Sequence, residues 1–292
     1  MNNKNYFKKK TFLITGANQG LGFEIAKYFA KKGASLILCA RNKKKLNIVK
    51  KILTNLTKKN KIFIYSLDIS KDKKVDNFFN KILKKNKIDI FVSNAGIYGP
   101  KGNSEELSWK EWKKTLNINL FGTIYMINKM VKYFKKNNGG KIIQIAGGGA
   151  ASSFPFFSPY AVSKSGLVRF VENISQENKN KNIFINAVAP GPINTRLLDE
   201  VLKAGPKKVG KKFYEKSKKQ KKNGGTDILK IIELIEFLSH KKSDGISGKL
   251  ISVLWDNWKN FHKKINILKK SDIGTLRRIT GKERNLNFFD RE

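Results

Sequence analysis

Tyr160 and Lys164 stand four positions apart in a stretch with helical spacing. Side chains at that spacing share a helix face and lie close enough to interact. A phenol is a slow base at neutral pH, but an ammonium about 4 Å away contributes up to ~4 kcal/mol at an effective dielectric of ~20, or about three pKa units. The pair could therefore give a proton to a carbonyl oxygen or take one from an alcohol. The same spacing also occurs on ordinary helices.

A glycine-rich turn, T-G-A-N-Q-G-L-G at residues 15–22, follows a predicted buried strand at 11–15 and precedes a predicted helix at 23–30. Glycines let the backbone turn sharply, and the N–H groups at a helix N-terminus attract phosphate. The spacing differs from the G-x-G-x-x-G dinucleotide fingerprint, although the physical logic is the same. By itself this pattern also fits a plain strand-to-helix turn. The residues expected to hold a dinucleotide here are Gly16, Asn18, Gln19, Gly20, Leu21 and Gly22.

A basic residue, Arg41, ends the next predicted strand at 35–40. In dinucleotide folds a carboxylate about 20 residues beyond the glycines binds the ribose 2′-OH of NAD, whereas Arg accommodates the 2′-phosphate of NADP. The sequence therefore favours NADP over NAD. Lys43, Lys44 and Lys45 either add to this phosphate site or form a solvated helix start.

Strands and helices alternate along the rest of the chain, which predicts an α/β fold with a doubly wound, Rossmann-like parallel sheet of about seven strands and helices on both faces. Further strands are predicted at 61–67, 88–92, 141–145, 183–188 and 249–253. Ligands of such sheets bind at the carboxyl ends of the strands. Asp68 and Ile69 follow one of these strands, and the run Asn94, Ala95 and Gly96 follows the next.

The formal net charge of +39 could indicate a polyanion-binding protein or steering of an anionic substrate. However, all but 7 of the 61 basic residues are Lys, and they are spread along the chain with many Asn, as an AT-rich genome would produce. We therefore expect no nucleic-acid partner. The single Cys39 lies in an apolar strand, and no apolar run is long enough to span a bilayer, so we expect a cytoplasmic protein without a membrane partner. His240 and His262 are isolated, and no metal site is expected.

Six motifs in register resemble the short-chain dehydrogenase/reductase family, in its single-domain branch. They are the turn at 15–22, Asp68, the run 94–96, Asn119-Leu120, Tyr160 with Lys164, and Pro190-Gly191, and they cover residues 11–253. The resemblance implies an oxidoreductase that transfers hydride between NADP and a small carbonyl or alcohol, as a homodimer or homotetramer. It makes Tyr160 the acid/base, Lys164 its electrostatic partner and a ribose ligand, and Asn119 the holder of a proton-relay water. Cofactor contacts are implied for Asp68, Ile69, Asn94, Ala95, Gly96, Tyr160, Lys164, Pro190, Gly191, Ile193 and Thr195.

The chain departs from the family at Gly147, where members usually carry a serine that orients the carbonyl oxygen. Loss of one such donor costs about 10²–10³ in rate in oxyanion-hole mutants. Ser152 or Ser153 is a candidate replacement, and a backbone N–H or a substrate hydroxyl is the alternative. Three consecutive glycines also leave room for a bulky substrate. A cofactor-binding sensor or scaffold with little turnover is the competing hypothesis.

Three segments complete the expected organisation. Residues 1–10 are a basic N-terminal tail, and residues 11–254 form the dinucleotide-binding and catalytic domain. Within this domain, residues 196–225 are expected to be a loop-rich substrate lid. Residues 255–292 form a C-terminal extension, in which Trp255 and Trp258 either wall the substrate pocket or anchor the tail; Phe261, Phe288 and Phe289 follow.

Overall fold

The computed structural model describes residues 3–57 and 60–286, so Phe288 and Phe289 lie outside the described residues. Within this range the strands are β1 Thr11–Thr15, β2 Ser35–Ala40, β3 Ile62–Ser66, β4 Ile90–Ser93, β5 Gly140–Ile145, β6 Ile183–Ala189 and β7 Leu250–Ser252. The α-helices are α1 Gly20–Lys31, α2 Lys43–Leu56, α3 Asp72–Leu83, α4 Trp109–Leu116, α5 Gly122–Lys136, α6 Ser158–Glu177, α7 Arg196–Ala204, α8 Pro206–Val209, α9 Lys211–Asn223, α10 Ile228–Ser239 and α11 Ile265–Lys270.

The strands form one parallel sheet in the order β3-β2-β1-β4-β5-β6-β7. β1 pairs with β2 on one side and with β4 on the other, so the direction of winding reverses at β1. A crevice opens at such a reversal, outside the carboxyl ends of the strands. The predicted doubly wound parallel sheet is confirmed.

Alternate residues of the central strands face two separate hydrophobic clusters, because successive side chains of a strand point to opposite faces. Phe12 and Leu36 pack with residues of α1, α2 and α10 on one face. Leu13 and Ile37 pack with residues of α3, α5 and α6 on the other. Helices therefore cover both faces, which explains why the strands are mostly apolar rather than alternating with polar residues.

Residues 196–225, expected to be loop-rich, are instead mostly helical, and the expectation is wrong on this point. α7, α8 and α9 fill the segment, and Gly205 and Gly210 separate them at φ angles of +78° and +81°. A glycine in that conformation ends a helix without preventing the next one from starting. The many Lys residues of α9 are good helix formers, and Leu198 and Val201 of α7 are buried.

Both ends of the described chain pack against the domain. Asn3–Lys9 form a 3₁₀ helix whose Phe7 ring is buried, 5.1 Å from the Phe29 ring centroid. In the extension, Trp258 is buried beside Phe237, whereas Trp255 is 86% exposed. Each tryptophan therefore fits a different one of the two alternatives. Trp258 anchors the tail, and Trp255 lines the cleft described below. No helix among the described residues is long and apolar enough to cross a membrane.

Candidate active site

The glycine turn between β1 and α1 packs directly on the residues that follow β4. Gly16 has a φ of +66°, and a Cβ there would lie 2.9 Å from Asn94 Nδ2. The Asn94 side-chain amide donates to the Thr15 carbonyl at 3.0 Å, and the Thr15 hydroxyl accepts from the Asn94 and Ala95 N–H groups, each at 3.1 Å. These bonds join the ends of the two strands that flank the reversal point. Gly22 lies behind the turn, where a Cβ would come within 2.5 Å of the Gly16 carbonyl oxygen.

A cleft of about 1190 Å³ opens over this turn at the carboxyl ends of the strands. It is large enough for a dinucleotide and a small substrate, because drug-sized ligand sites typically occupy about 300–1,000 Å³. Gly22 does not line it, which agrees with its packing role. The predicted cofactor residues that do line it are Gly16, Asn18, Gln19, Gly20, Leu21, Arg41, Asp68, Ile69, Asn94, Ala95, Gly96, Tyr160, Lys164, Pro190, Gly191, Ile193 and Thr195.

One end of the cleft is basic. Arg41 is exposed there, and Lys45 Nζ donates to Gln19 Oε1 at 2.9 Å, which brings the start of α2 to the glycine turn. Asn42 caps α2 by accepting the Lys45 N–H at 2.9 Å. Of the three lysines considered, Lys45 lines the cleft, whereas Lys43 and Lys44 lie outside its lining. Two cations and the N-terminus of α1, which has no side-chain cap, suit the phosphates of a dinucleotide.

Tyr160 and Lys164 lie on one face of α6 and line the opposite part of the cleft. Both side chains are nearly buried, at 6% and 4% exposure. Lys164 Nζ lies 5.6 Å from the centre of the Tyr160 ring and donates to the Ile145 carbonyl at 2.8 Å. Strand β5 ends at Ile145, so the lysine is fixed against the edge where the cleft begins.

Asn119 lies behind this pair, fully buried in a π-helical turn, Asn117–Phe121, between α4 and α5. Such turns mark places where helix hydrogen bonding is interrupted, often at functional sites. The Asn119 side-chain amide makes two hydrogen bonds with the backbone of Ile97. Its oxygen accepts the Ile97 N–H at 2.9 Å, and its nitrogen donates to the Ile97 carbonyl at 2.8 Å. The nitrogen also lies 3.1 Å from the Ser163 hydroxyl on α6. One side chain thus ties the loop after β4 to the helix that carries Tyr160.

Burial dominates the proton affinities of the pair. It raises the pKa of the Tyr160 phenol above its ordinary value, and the nearby Tyr98 phenol adds to this rise. Burial lowers the pKa of Lys164 to about 8. The sequence-based expectation that the lysine would lower the phenol pKa is therefore not met in the chain alone. Desolvation of the phenolate is the largest effect on the pKa of Tyr160, and burial also disfavours the charge of the neighbouring Lys164 ammonium.

Residues 10–205 match the family model described as short chain dehydrogenase. The chain belongs to the short-chain dehydrogenase family. Across 256 aligned residues it is 34% identical to the 3-oxoacyl-[acyl-carrier-protein] reductase FabG of Buchnera aphidicola, covering 84% of this chain and 96% of that protein. It is 31% identical to dehydrogenase/reductase SDR family member 4 of Mus musculus over 194 residues, covering 66% of this chain and 69% of that protein.

Solved structures agree with this assignment. Levodione reductase superimposes with a TM-score of 0.76 at 25% identity, over 83% of this chain and 95% of that one. More distant neighbours share the fold, and they include an actinorhodin polyketide ketoreductase with NADPH and a xylitol dehydrogenase with bound NAD⁺. This short-chain dehydrogenase is therefore an NAD(P)-dependent oxidoreductase that acts between carbonyl and alcohol groups.

Gly147, where the resemblance leads one to expect a serine, lies against the Tyr160 hydroxyl. A Cβ at Gly147 would lie 2.1 Å from Tyr160 Oη and 3.0 Å from Cζ. The tyrosine therefore occupies the space that any side chain at this position would need. Of the two candidate replacements, Ser152 is exposed and lines the cleft, and Ser153 is exposed outside the lining.

An aromatic group surrounds the Tyr160 side of the cleft, and sequence reasoning did not find it. The Tyr98 ring meets the Tyr160 ring edge-on at 4.7 Å, and Phe154 stacks on Phe157 at 4.4 Å. Phe213 of α9 stands edge-on to both phenylalanines. A signal was available for Tyr98, which follows the Asn94–Gly96 run at the carboxyl end of β4. For Phe213 the sequence held no comparable signal, because α9 is placed by tertiary packing.

Proposed function

We propose that this short-chain dehydrogenase interconverts a carbonyl and a secondary alcohol by hydride transfer with NADP. The observation that best supports the proposal is that Tyr160 and Lys164 line the same cleft as the glycine turn, with Asn119 directly behind them. An acid/base pair and a dinucleotide-sized groove at one sheet edge are what such chemistry needs. When bound, the nicotinamide ring gives or accepts the hydride.

The protein's own residues handle the proton. At neutral pH the buried Tyr160 phenol carries its proton, so it is ready to donate to the oxygen of a carbonyl as that oxygen gains charge. Lys164, with a pKa of about 8, is charged at pH 7 and stabilises the phenolate that results. Asn119 holds the loop after β4 and helix α6 at a fixed separation, and by the family pattern it positions the water that returns the proton. The aromatic walls exclude bulk water, which strengthens each of these interactions.

Tyr160→Phe tests the acid/base role directly. Loss of a general acid should lower kcat about 10²–10⁴-fold, a far larger effect than the loss of one cofactor contact has on NADPH affinity. Tyr65→Phe, on β3 and outside the cleft lining, is the matched control and should keep full activity. If Tyr160→Phe turns over NADPH as fast as the parent protein, the proposed mechanism is wrong. If the parent protein binds NADPH but reduces no ketone, the sensor or scaffold hypothesis is favoured instead.

The choice of NADP is supported by Arg41 and Lys45 at the basic end of the cleft. A hydrogen bond to a charged group contributes about 1.5–3 kcal/mol, so Arg41→Asp should lower kcat/KM for NADPH about 10–100-fold relative to NADH. Lys44→Ala is the control. Lys44 is exposed in the first turn of α2 and lies outside the cleft lining, so this variant should leave the NADPH-to-NADH ratio of kcat/KM unchanged. An unchanged NADPH-to-NADH ratio in Arg41→Asp would refute this part of the proposal.

We propose that the substrate is a ketone with an apolar or aromatic body, held under a helical lid at 196–225. The lid contributes Leu198, Val201 and Phe213 to the cleft, and Trp255 of the extension lines it as well. Two relatives are named as a 3-oxoacyl-[acyl-carrier-protein] reductase and a levodione reductase, which supports a ketone substrate. Steady-state rates with NADPH across a panel of aryl ketones and 3-oxoacyl thioesters test this assignment.

We further propose that the protein assembles as a homodimer or homotetramer. Phe121, at the end of the π-helical turn, and Val162 of α6 are 57% and 48% exposed, and these two elements are in contact. Exposed apolar side chains on neighbouring elements are typical of subunit interfaces. Light scattering of the purified protein measures its mass in solution, and the joint variant Phe121→Lys/Val162→Lys should shift it towards the monomer.

A further inference from the structure

The space around Gly147 raises the question of which group orients the substrate oxygen. A serine hydroxyl at this position would have to share the volume that the Tyr160 hydroxyl fills. Ser152 is exposed at the mouth of the cleft rather than packed beside Tyr160. Besides a backbone N–H or a substrate hydroxyl, a side chain on another wall of the pocket can supply the second donor. The loop after β4 forms such a wall, because its Tyr98 ring contacts the Tyr160 ring.

Tyr98 in that loop presents a second phenol to Tyr160. Its ring centroid lies 4.7 Å from that of Tyr160, edge-on, and 5.2 Å from that of Phe157. Tyr98 lines the same cleft as Tyr160. The backbone just before it is fixed by the two hydrogen bonds between the Asn119 amide and Ile97. A donor in a catalytic site must be held this firmly to act on a developing charge.

We propose that the Tyr98 hydroxyl is the second hydrogen-bond donor to the substrate oxygen, in place of the side chain that Gly147 lacks. This inference rests on the proposed carbonyl chemistry. In the reduction, hydride forms the new C–H bond, the C=O π pair becomes a lone pair on oxygen, and that oxygen takes its proton from Tyr160. Tyr98 keeps its own proton and stabilises the oxygen while its charge develops.

The surroundings of Tyr98 keep its hydroxyl protonated and able to donate a hydrogen bond. Burial, together with the nearby Glu200 carboxylate, raises the pKa of Tyr98 to about 12, so the phenol stays protonated over the working pH range. Glu200 is held by Arg196 at 3.0 Å and by Lys101 at 3.7 Å. Lys101 also lies 5.6 Å from the Tyr98 ring centre. Burial raises the pKa of Tyr160 as well, so proton affinity does not separate the two phenols. Their cationic neighbours do, because Lys101 near Tyr98 is paired with Glu200, whereas Lys164 near Tyr160 donates to a backbone carbonyl and keeps a full charge to stabilise a phenolate. We therefore assign the proton exchange to Tyr160.

The test compares Tyr98→Phe with the parent protein on para-substituted acetophenones and NADPH. Loss of the donor should lower kcat for the para-methoxy ketone about 10²–10³-fold, as in oxyanion-hole mutants. The loss should be smaller for the para-nitro ketone, whose carbonyl needs less assistance, so the Hammett slope should become more positive. NADPH affinity and the unfolding midpoint should match those of the Tyr65→Phe control. A second variant, Tyr98→His, keeps a donor on a ring and should be more active than Tyr98→Phe.

The outcomes distinguish a failure of the Tyr98 donor role from a failure of the proposed carbonyl chemistry. If the parent protein reduces none of the ketones and oxidises none of the matching alcohols, the proposed function fails, and the role of Tyr98 fails with it. If the parent is active and Tyr98→Phe keeps its kcat within about threefold, only the role of Tyr98 is refuted. An equal loss across all para substituents, or equal rates for the Phe and His variants, shows a packing role and also refutes the donor assignment.

Discussion

Gly147→Ser should lower the rate of carbonyl reduction, although it installs the serine that the family usually carries. The new Cβ would lie 2.1 Å from the Tyr160 hydroxyl oxygen, about 1 Å closer than packed atoms tolerate. Tyr160 cannot retreat easily, because Tyr98 and Phe154 pack around its ring. A displacement of about 1 Å at a reacting group can cost about 10²-fold in rate, and forced overpacking about 1–3 kcal/mol in stability.

The assay measures kcat and KM for a ketone that the parent protein reduces, the dissociation constant for NADPH, and the free energy of unfolding in urea. We expect kcat to fall about 10²-fold, NADPH affinity to change little, and stability to fall by about 1–3 kcal/mol. Gly148→Ala is the matched control. Its Cβ would lie 3.2 Å from the Phe154 ring, so a small adjustment accommodates it, and the losses should be much smaller.

A Gly147→Ser protein with equal or higher kcat/KM would refute this reasoning. It would mean that Tyr160 moves aside at little cost and that the glycine is simply a defect that serine repairs. Such a result would also remove the need for a donor on the opposite wall. Gly147→Ala distinguishes the two effects of the substitution, since it adds the Cβ without a hydroxyl and should be as impaired as Gly147→Ser.

Three further predictions concern Asn119, the two tryptophans of the C-terminal extension, and Lys164. Asn119→Ala removes the hydrogen bonds to the half-buried Ile97 N–H and carbonyl, each contributing about 1 kcal/mol, and urea denaturation should show a loss of ~2 kcal/mol. Trp258→Ala should cost about 3 kcal/mol in the same measurement and Trp255→Ala less than about 0.5, because the second side chain is 86% exposed; equal losses would contradict the anchoring role of Trp258. The pKa of Lys164 is lowered to about 8 by burial, so the unfolded chain binds more protons than the folded one from about pH 8 to its ordinary pKa. The stability of the parent relative to Lys164→Met should therefore rise over that window, and a constant or falling difference would show that the lysine is not desolvated.

Much of the fold could be predicted because apolar strands and helical spacing are local signals. β1 and β2 were predicted with the observed bounds, and the other strands within two residues at each end. The doubly wound topology followed from the alternation of strands and helices, since right-handed crossovers leave few arrangements. The loop-rich character predicted for residues 196–225 is wrong, because Gly205 and Gly210 resemble loop signals although each interrupts the helical segment only at a single position.

The site residues that directly follow a strand could be predicted from the sequence. The contacts between residues that are far apart in the chain could not. Asn94 follows the buried strand β4 and Asp68 comes just after the edge strand β3, and the sheet brings both to the cleft. The closeness of Gly147 to the Tyr160 hydroxyl depends on how α6 packs over the end of β5, which no local pattern encodes. The pKa shifts of Tyr160 and Lys164 could not be predicted either, because their four-residue spacing indicates that the two groups are close but not that they are buried. The spacing therefore indicates the attraction between the Tyr160 phenolate and the Lys164 ammonium, but not the larger effect of their desolvation.

The two unusual features of the pocket, an absent side chain at position 147 and a phenol at position 98, are connected through Asn119. Its amide holds Ile97, the residue before Tyr98, and also reaches Ser163, the residue before Lys164. The side chain that the family pattern assigns to a proton relay therefore also sets the distance between the two walls that carry the phenols. With that distance fixed, a side chain at position 147 would displace the Tyr160 hydroxyl, while Tyr98 and Phe154 already pack around its ring. Without one, the Tyr160 hydroxyl keeps its place, as the proposed sharing of one substrate oxygen with Tyr98 requires.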